Sequence, residues 1–84
     1  MPIPDFQTLM LPLLEALADG RERLVREVTA SLADRFKLTD EERQERLPSG
    51  EQTVISNRVA WAKTHLKSAG LLDNPTRGRV RLSE

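Results

Sequence analysis

Eighty-four residues with no cysteine, a single histidine and thirteen Lys/Arg balanced by thirteen Asp/Glu exclude most of the chemistry a small protein can carry. Without thiols there is no disulfide, no nucleophilic cysteine and no thiolate zinc site, and with His65 alone a metal centre would need carboxylates, which stand at no recognised ligand spacing. A chain of this length predicts one small domain with a net stability of roughly 4–12 kcal/mol; lacking an apolar run near the ~18 residues of a membrane span or a signal-peptide pattern, it is expected to be soluble and cytoplasmic, with no cofactor and no membrane partner.

Along the chain, Phe6, Leu9, Met10, Leu13, Leu14 and Leu17 recur at steps of three and one, which predicts an amphipathic helix over residues 4–18, ended by Asp19-Gly20. Pro12 falls inside it, where the missing N–H and the crowded preceding turn predict a bend rather than a break. Arg21 to Leu24 is too short and too charged for a core strand and reads as a brief edge. Val25, Val28, Leu32 and Phe36, with Ala33 beside them, predict a second core helix. Thr39-Asp40-Glu41-Glu42 is a capping box that opens a short third helix, and Pro48 requires that helix to stop before it. Capping and a solvated face also account for Asp40, Glu41, Glu42 and Glu45 better than an acid–base or metal cluster does. Ser49 and Thr53 are rival caps for the next helix.

The stretch Thr53 to Leu72 organises the rest. Ile55, Val59, Ala62, Leu66 and Ala69 are spaced 4, 3, 4, 3 and form one helical stripe toward a core. The opposite face carries Thr53, Ser56, Asn57, Ala60, Thr64 and Lys67, small or polar residues that permit close approach to another surface. Gly70 ends the helix. Asp73 to Gly78 is dense in turn formers, and Arg79-Val80-Arg81-Leu82 alternates charged and apolar, so a short β-hairpin is predicted with Val80 and Leu82 inward and Arg77 at the tip. The order helix, edge, helix, helix, helix, hairpin makes the expected fold mainly α with a small β-hairpin, laid out as a winged helix-turn-helix over residues 1–84. Charge follows the same division. Residues 1–52 hold seven Lys/Arg against eleven Asp/Glu, whereas residues 53–84 hold six against two, the footprint expected of phosphate contact.

The segments MPIPDFQTLMLPLLEALADG, LPSGEQTVISNRVAWAKTHLKSAGLL and RGRVRLSE resemble the N-terminal domain of the Mrr family of modification-dependent restriction endonucleases. The resemblance covers essentially the whole chain; its most specific run is Asn57-Arg58-Val59, Trp61-Ala62, Leu66 and Ala69-Gly70-Leu71. It implies a winged helix that binds double-stranded DNA, while a separate C-terminal nuclease domain in a longer protein cuts DNA carrying foreign methylation. The metal motif of such a nuclease is absent from these residues, and no nucleophile–base pair or Gly-rich phosphate loop replaces it, so the chain itself is expected not to be an enzyme.

On this reading Thr53, Ser56, Asn57 and Arg58 enter the major groove, where Asn pairs bidentately with adenine and Arg with guanine. Backbone groups of Ser49 and Gly50, with Lys63, Lys67, Arg77 and Arg79, meet phosphates. Blander readings stand beside these. Arg58 can equally lay its stem over apolar surface and pair with a carboxylate. Trp61 is expected to be half-buried, holding elements together rather than stacking on a ligand, and His65 to sit at the surface or core edge. Charge on the hairpin can simply deter edge pairing. The rival function is a protein-interaction or homo-oligomerisation domain, in which the apolar stripe of the first helix exceeds what its own core covers.

Overall fold

The computed structural model describes residues 3–83. Its elements are α1 (Phe6–Ala16), β1 (Arg23–Leu24), α2 (Val25–Arg35), α3 (Asp40–Gln44), α4 (Val54–Ser68), β2 (Leu72–Asp73) and β3 (Arg79–Leu82). The helices dominate, and the three short strands form an antiparallel sheet in the order β1-β3-β2. Arg23 faces Val80 and Leu24 faces Arg79 on one side of β3, while Leu72 faces Leu82 and Asp73 faces Arg81 on the other.

Three of the four helices start for a local reason, and α2 for a distant one. Asp5 caps α1 by accepting a hydrogen bond from the Thr8 N–H at 2.8 Å. The helix continues through Pro12, which is buried; the Thr8 carbonyl that loses its helical donor there belongs to an exposed residue, open to water. No side chain caps α2. Instead the Val25 N–H donates to the Gly78 carbonyl at 2.8 Å, so the hairpin closes the first turn of the second helix. The capping box of α3 forms in full: Thr39 Oγ1 accepts from the Glu42 N–H and Glu42 Oε1 accepts from the Thr39 N–H. Of the rival caps for α4, Thr53 is the one used, its hydroxyl accepting from the Ser56 N–H at 3.2 Å.

One hydrophobic cluster ties these elements together. Leu9, Leu13 and Leu17 from the first segment, Val28 and Leu32 from α2, Ile55, Val59, Ala62 and Leu66 from α4, and Val80 from β3 are all buried. At roughly 1.5–3 kcal/mol for each fully buried aliphatic side chain, this stripe-on-stripe packing supplies the main favourable contribution to folding. One expectation is corrected: Ala69 is exposed, because it is the C-cap of α4 and lies beyond the last turn of the stripe. Val54 at the start of α4 is also buried, and Phe6 is half-buried, its ring turned edge-on to His65 at 4.5 Å. No helix among the described residues is long and apolar enough to cross a membrane.

Candidate nucleic-acid interface

The segment Val54–Ser68 contains no Asp or Glu, and its outward face is where the structure leaves polar groups unengaged. The side-chain amide of half-buried Asn57 makes no hydrogen bond among the described residues, and Lys63, Lys67 and Arg77 have no ion pair there. Ser56 and Thr53 are less free. The Thr53 hydroxyl donates to Ser56 Oγ at 2.8 Å while capping the helix, so the pair presents one shared hydroxyl surface.

Beside Ser56, a cleft of about 280 Å³ opens between α2 and the start of α4, lined by Arg26, Thr29, Ala30, Arg43, Thr53 and Ser56. Arg43 is held in place by the Leu38 carbonyl and by Asp34 at 2.8 Å. Arg26 is exposed and has no partner among the described residues, and the preceding residue, Val25, is bonded to the hairpin at Gly78. Sequence reasoning missed Arg26 because it sits in the acidic half. Its signal was its place at the start of a helix with small residues, Thr29 and Ala30, at the next-turn positions.

The remaining candidates are placed as follows. Arg58 Nη1 donates to the carbonyls of Ile3 and Pro4, pinning the N-terminal segment onto α4. It thus uses part of its hydrogen-bonding capacity inside the fold, on carbonyls rather than on the carboxylate of the bland reading. In the loop before α4, the Gly50 N–H is taken by the Leu47 carbonyl at 2.8 Å and the Gly50 carbonyl by Arg46, whereas Ser49 is exposed with its hydroxyl accepting from the Glu51 N–H. On the hairpin, Arg77 is exposed at the tip, and Arg79 leans toward Glu22 at 3.4 Å. Arg81 is half-buried and its Nε is buried without a partner among the described residues, so it does not project freely. The Asn74 side chain donates to the Arg79 carbonyl at 2.7 Å and closes the turn.

Trp61 departs from expectation in the opposite sense. It is 52% exposed, and its indole touches His65 edge-on at 6.0 Å while making no hydrogen bond among the described residues.

The carboxylates with lowered pKa values all lie outside α4, although the Arg58 charge acts on Asp5. The Thr8 N–H lowers that of Asp5, the Arg21 N–H that of Asp19 and the Thr39 N–H that of Glu42, each by favouring the charged form. Among the described residues no three of His, Asp and Glu gather to hold a metal ion.

Geometry therefore defines a small helical domain that exposes a carboxylate-free helix flanked by unpaired cations. The chain belongs to the Mrr N-terminal domain family, whose model matches residues 6–84. It is 36% identical over 80 residues to the type IV methyl-directed restriction enzyme EcoKMrr of Escherichia coli (strain K12), an alignment covering 94% of this chain. The chain spans about a quarter, 26%, of that enzyme's length. No solved structure matches it.

Proposed function

We propose that this chain is a winged helix-turn-helix domain that binds double-stranded DNA and delivers an Mrr-like restriction endonuclease to methylated target sites, cleavage being the work of a C-terminal nuclease domain in a longer protein. The observation that carries this reading is the outward face of α4: no carboxylate and, among the described residues, an unengaged Asn57 amide and Lys63 and Lys67 without partners. The sheet order β1-β3-β2 and the hairpin following α4 support the winged-helix assignment, in which α4 enters the major groove and the hairpin lies along the backbone. Asn57 reads a base edge, with the Thr53–Ser56 hydroxyls beside it. Arg26, Lys63, Lys67, Arg77 and Arg79, with the Ser49 loop, take phosphates. The relative's name, methyl-directed, supports a modified substrate.

Titration of a fluorescent duplex at two salt concentrations tests this. About five phosphate contacts give a log–log slope near −4.5, so affinity should fall by between two and three orders of magnitude from about 50 to 200 mM salt. Absence of binding, or affinity indifferent to salt, would refute the reading. One observation favours the rival protein-interaction role: Leu11 on α1 is 65% exposed. Salt-insensitive self-association that a Leu11→Ser substitution abolishes is the result that role requires.

A further inference from the structure

Trp61 and its neighbours on α4 form a feature that phosphate and hydrogen-bond contacts do not explain. A shallow depression of about 190 Å³ lies on the helix surface, lined by Ala60, Trp61 and Thr64. Its walls are apolar in effect, because the Thr64 hydroxyl is engaged by the Ala60 carbonyl at 2.9 Å and leaves the side-chain methyl as the group on offer. The indole is also held in place: Trp61 meets His65 at an interplanar angle of 86°, and His65 in turn meets Phe6 at 78° and 4.5 Å. Two perpendicular ring contacts thus anchor an aromatic that is 52% exposed.

We infer that this depression receives a methyl group carried on a base edge in the major groove, with Trp61 as the specificity-determining side chain; the inference rests on the DNA-binding reading above. Three observations select this occupant. The surrounding helix carries cations and no carboxylate, so the surface is complementary to a polyanion rather than to an acidic-rimmed protein patch. Trp61 is four residues after Asn57 and Thr64 is four after Ala60, so the depression lies one turn, about 5.4 Å, beyond the amide that reads a base. That spacing compares with a base-pair rise of about 3.4 Å, which places the methyl one or two steps from the pair that Asn57 contacts. Finally, base edges in the major groove are polar except for methyl groups, the only partner there that gains by covering an indole.

The test uses three pools of random-sequence duplex in which deoxyuridine replaces thymidine, so that the unmodified pool carries no base methyl: one otherwise unmodified, one with 5-methylcytosine and one with N6-methyladenine, each titrated against the 84-residue chain. Burying one methyl corresponds to a three- to fivefold gain in affinity. We expect that gain for at least one methylated pool, and which pool gains distinguishes a pyrimidine C5-methyl from an adenine N6-methyl. Trp61→Ala should bring the ratio of methylated to unmodified affinity to one. Thr64→Ser, which keeps the hydroxyl bond to Ala60 and removes only the methyl wall, should reduce it in part. Circular dichroism confirms that each variant is folded. Equal affinity of the unsubstituted chain for all pools overturns the inference while leaving DNA binding intact. So does a preference that survives unchanged in folded Trp61→Ala. Binding to no pool overturns the DNA-binding reading itself, and assigns Trp61 to a protein surface.

Discussion

In the half that ends at Gln52, Arg23 is paired with Asp19, Arg35 reaches across to Glu15 at 2.6 Å and Arg43 is tied to Asp34, whereas in the half built by α4 and the hairpin Lys63, Lys67 and Arg77 meet no carboxylate among the described residues. Arg79 crosses over, to Glu22. Exposed ion pairs of this kind contribute about 0–1 kcal/mol each, so their main effect is not stability. They cancel the field of the scaffold locally and leave that of the α4 face standing. A formal charge of zero thus says little about nucleic-acid binding; the positions of the unpaired cations say more. Arg21, Arg26, Lys37 and Arg46 of the scaffold half have no ion pair among the described residues either, and of these Arg26 lines the cleft beside Ser56 at the start of α4.

The largest expected effect breaks the platform on which both halves stand. Leu66 is 2% exposed at the centre of the shared core, so Leu66→Ala should cost roughly 2–5 kcal/mol and lower Tm by about 8 °C or more. The same substitution at exposed Leu11 should change stability by less than about 0.5 kcal/mol. Thermal melts of the two variants side by side check this, and equal shifts would mean that the core is wrongly drawn.

Next in size are substitutions that separate the face from the scaffold. If Asn57 reads a base edge, Asn57→Ala should weaken binding by about 1–3 kcal/mol at a preferred sequence and leave the salt slope unchanged, since no counterion is released there. Arg77→Ala or Lys67→Ala should weaken binding to all sequences alike and flatten the slope by about one unit. Arg35→Ala, which removes a cation of the same type from the scaffold, should alter neither. A slope that responds equally to Arg35 and Arg77 would dissolve the distinction between the halves.

Much of this arrangement was legible in the sequence because it is local. The stripe Ile55, Val59, Ala62, Leu66, the Thr39–Glu42 capping box and the turn before Arg79 each depend on residues a few positions apart. What was not legible depends on distant partners. Arg58 is drawn to carbonyls more than fifty residues away, α2 is closed by Gly78, and Ile3 and Leu38 are buried in a core that segments from the whole chain assemble. The site shows the same division: the carboxylate-free face could be read in advance, while the engaged Gly50 amide and the exposed Trp61 could not.

The ends of α2 and α4 offer a smaller, symmetrical test. Both close with the same pair of bonds: Leu38 N–H to Ala33 and Lys37 N–H to Asp34 on α2, Leu71 N–H to Leu66 and Gly70 N–H to Lys67 on α4. The residue in left-handed conformation is Gly70, φ 80°, on α4 but Lys37, φ 56°, on α2. Lys37→Gly should therefore stabilise the protein by about 1 kcal/mol, and Gly70→Ala should destabilise it by a similar amount. A Cβ at Gly70 meets nothing within 4 Å, so that cost is conformational alone. Opposite signs in denaturant titrations are expected; a shared sign would show that one of the two ends is not closed in this way.

The smallest effect concerns acid, and it again distinguishes the halves. α1 is capped by the Asp5 carboxylate, and the capping box of α3 adds the Glu42 carboxylate to the Thr39 hydroxyl, while α4 is capped by the Thr53 hydroxyl alone, which does not titrate. In Asp5, Asp19 and Glu42 the folded-state pKa lies below its ordinary value because a backbone N–H donates to the charged form. Groups of this sign contribute stability that is fully present above the ordinary carboxylate range and is lost as pH falls through the lowered folded-state values. Asp5 and Asp19 are exposed and Glu42 is half-buried, so screening by solvent keeps the contribution small. At about pH 3, hydrogen-exchange protection at the Thr8 and Thr39 amides should fall relative to neutral pH, while that at the Ser56 amide stays level. Asp5→Asn keeps a good capping side chain without the titration, and it should remove the acid sensitivity at Thr8 alone. A Ser56 amide that loses protection in step with Thr8 would show that acid opens the fold as a whole, rather than its carboxylate-capped half first.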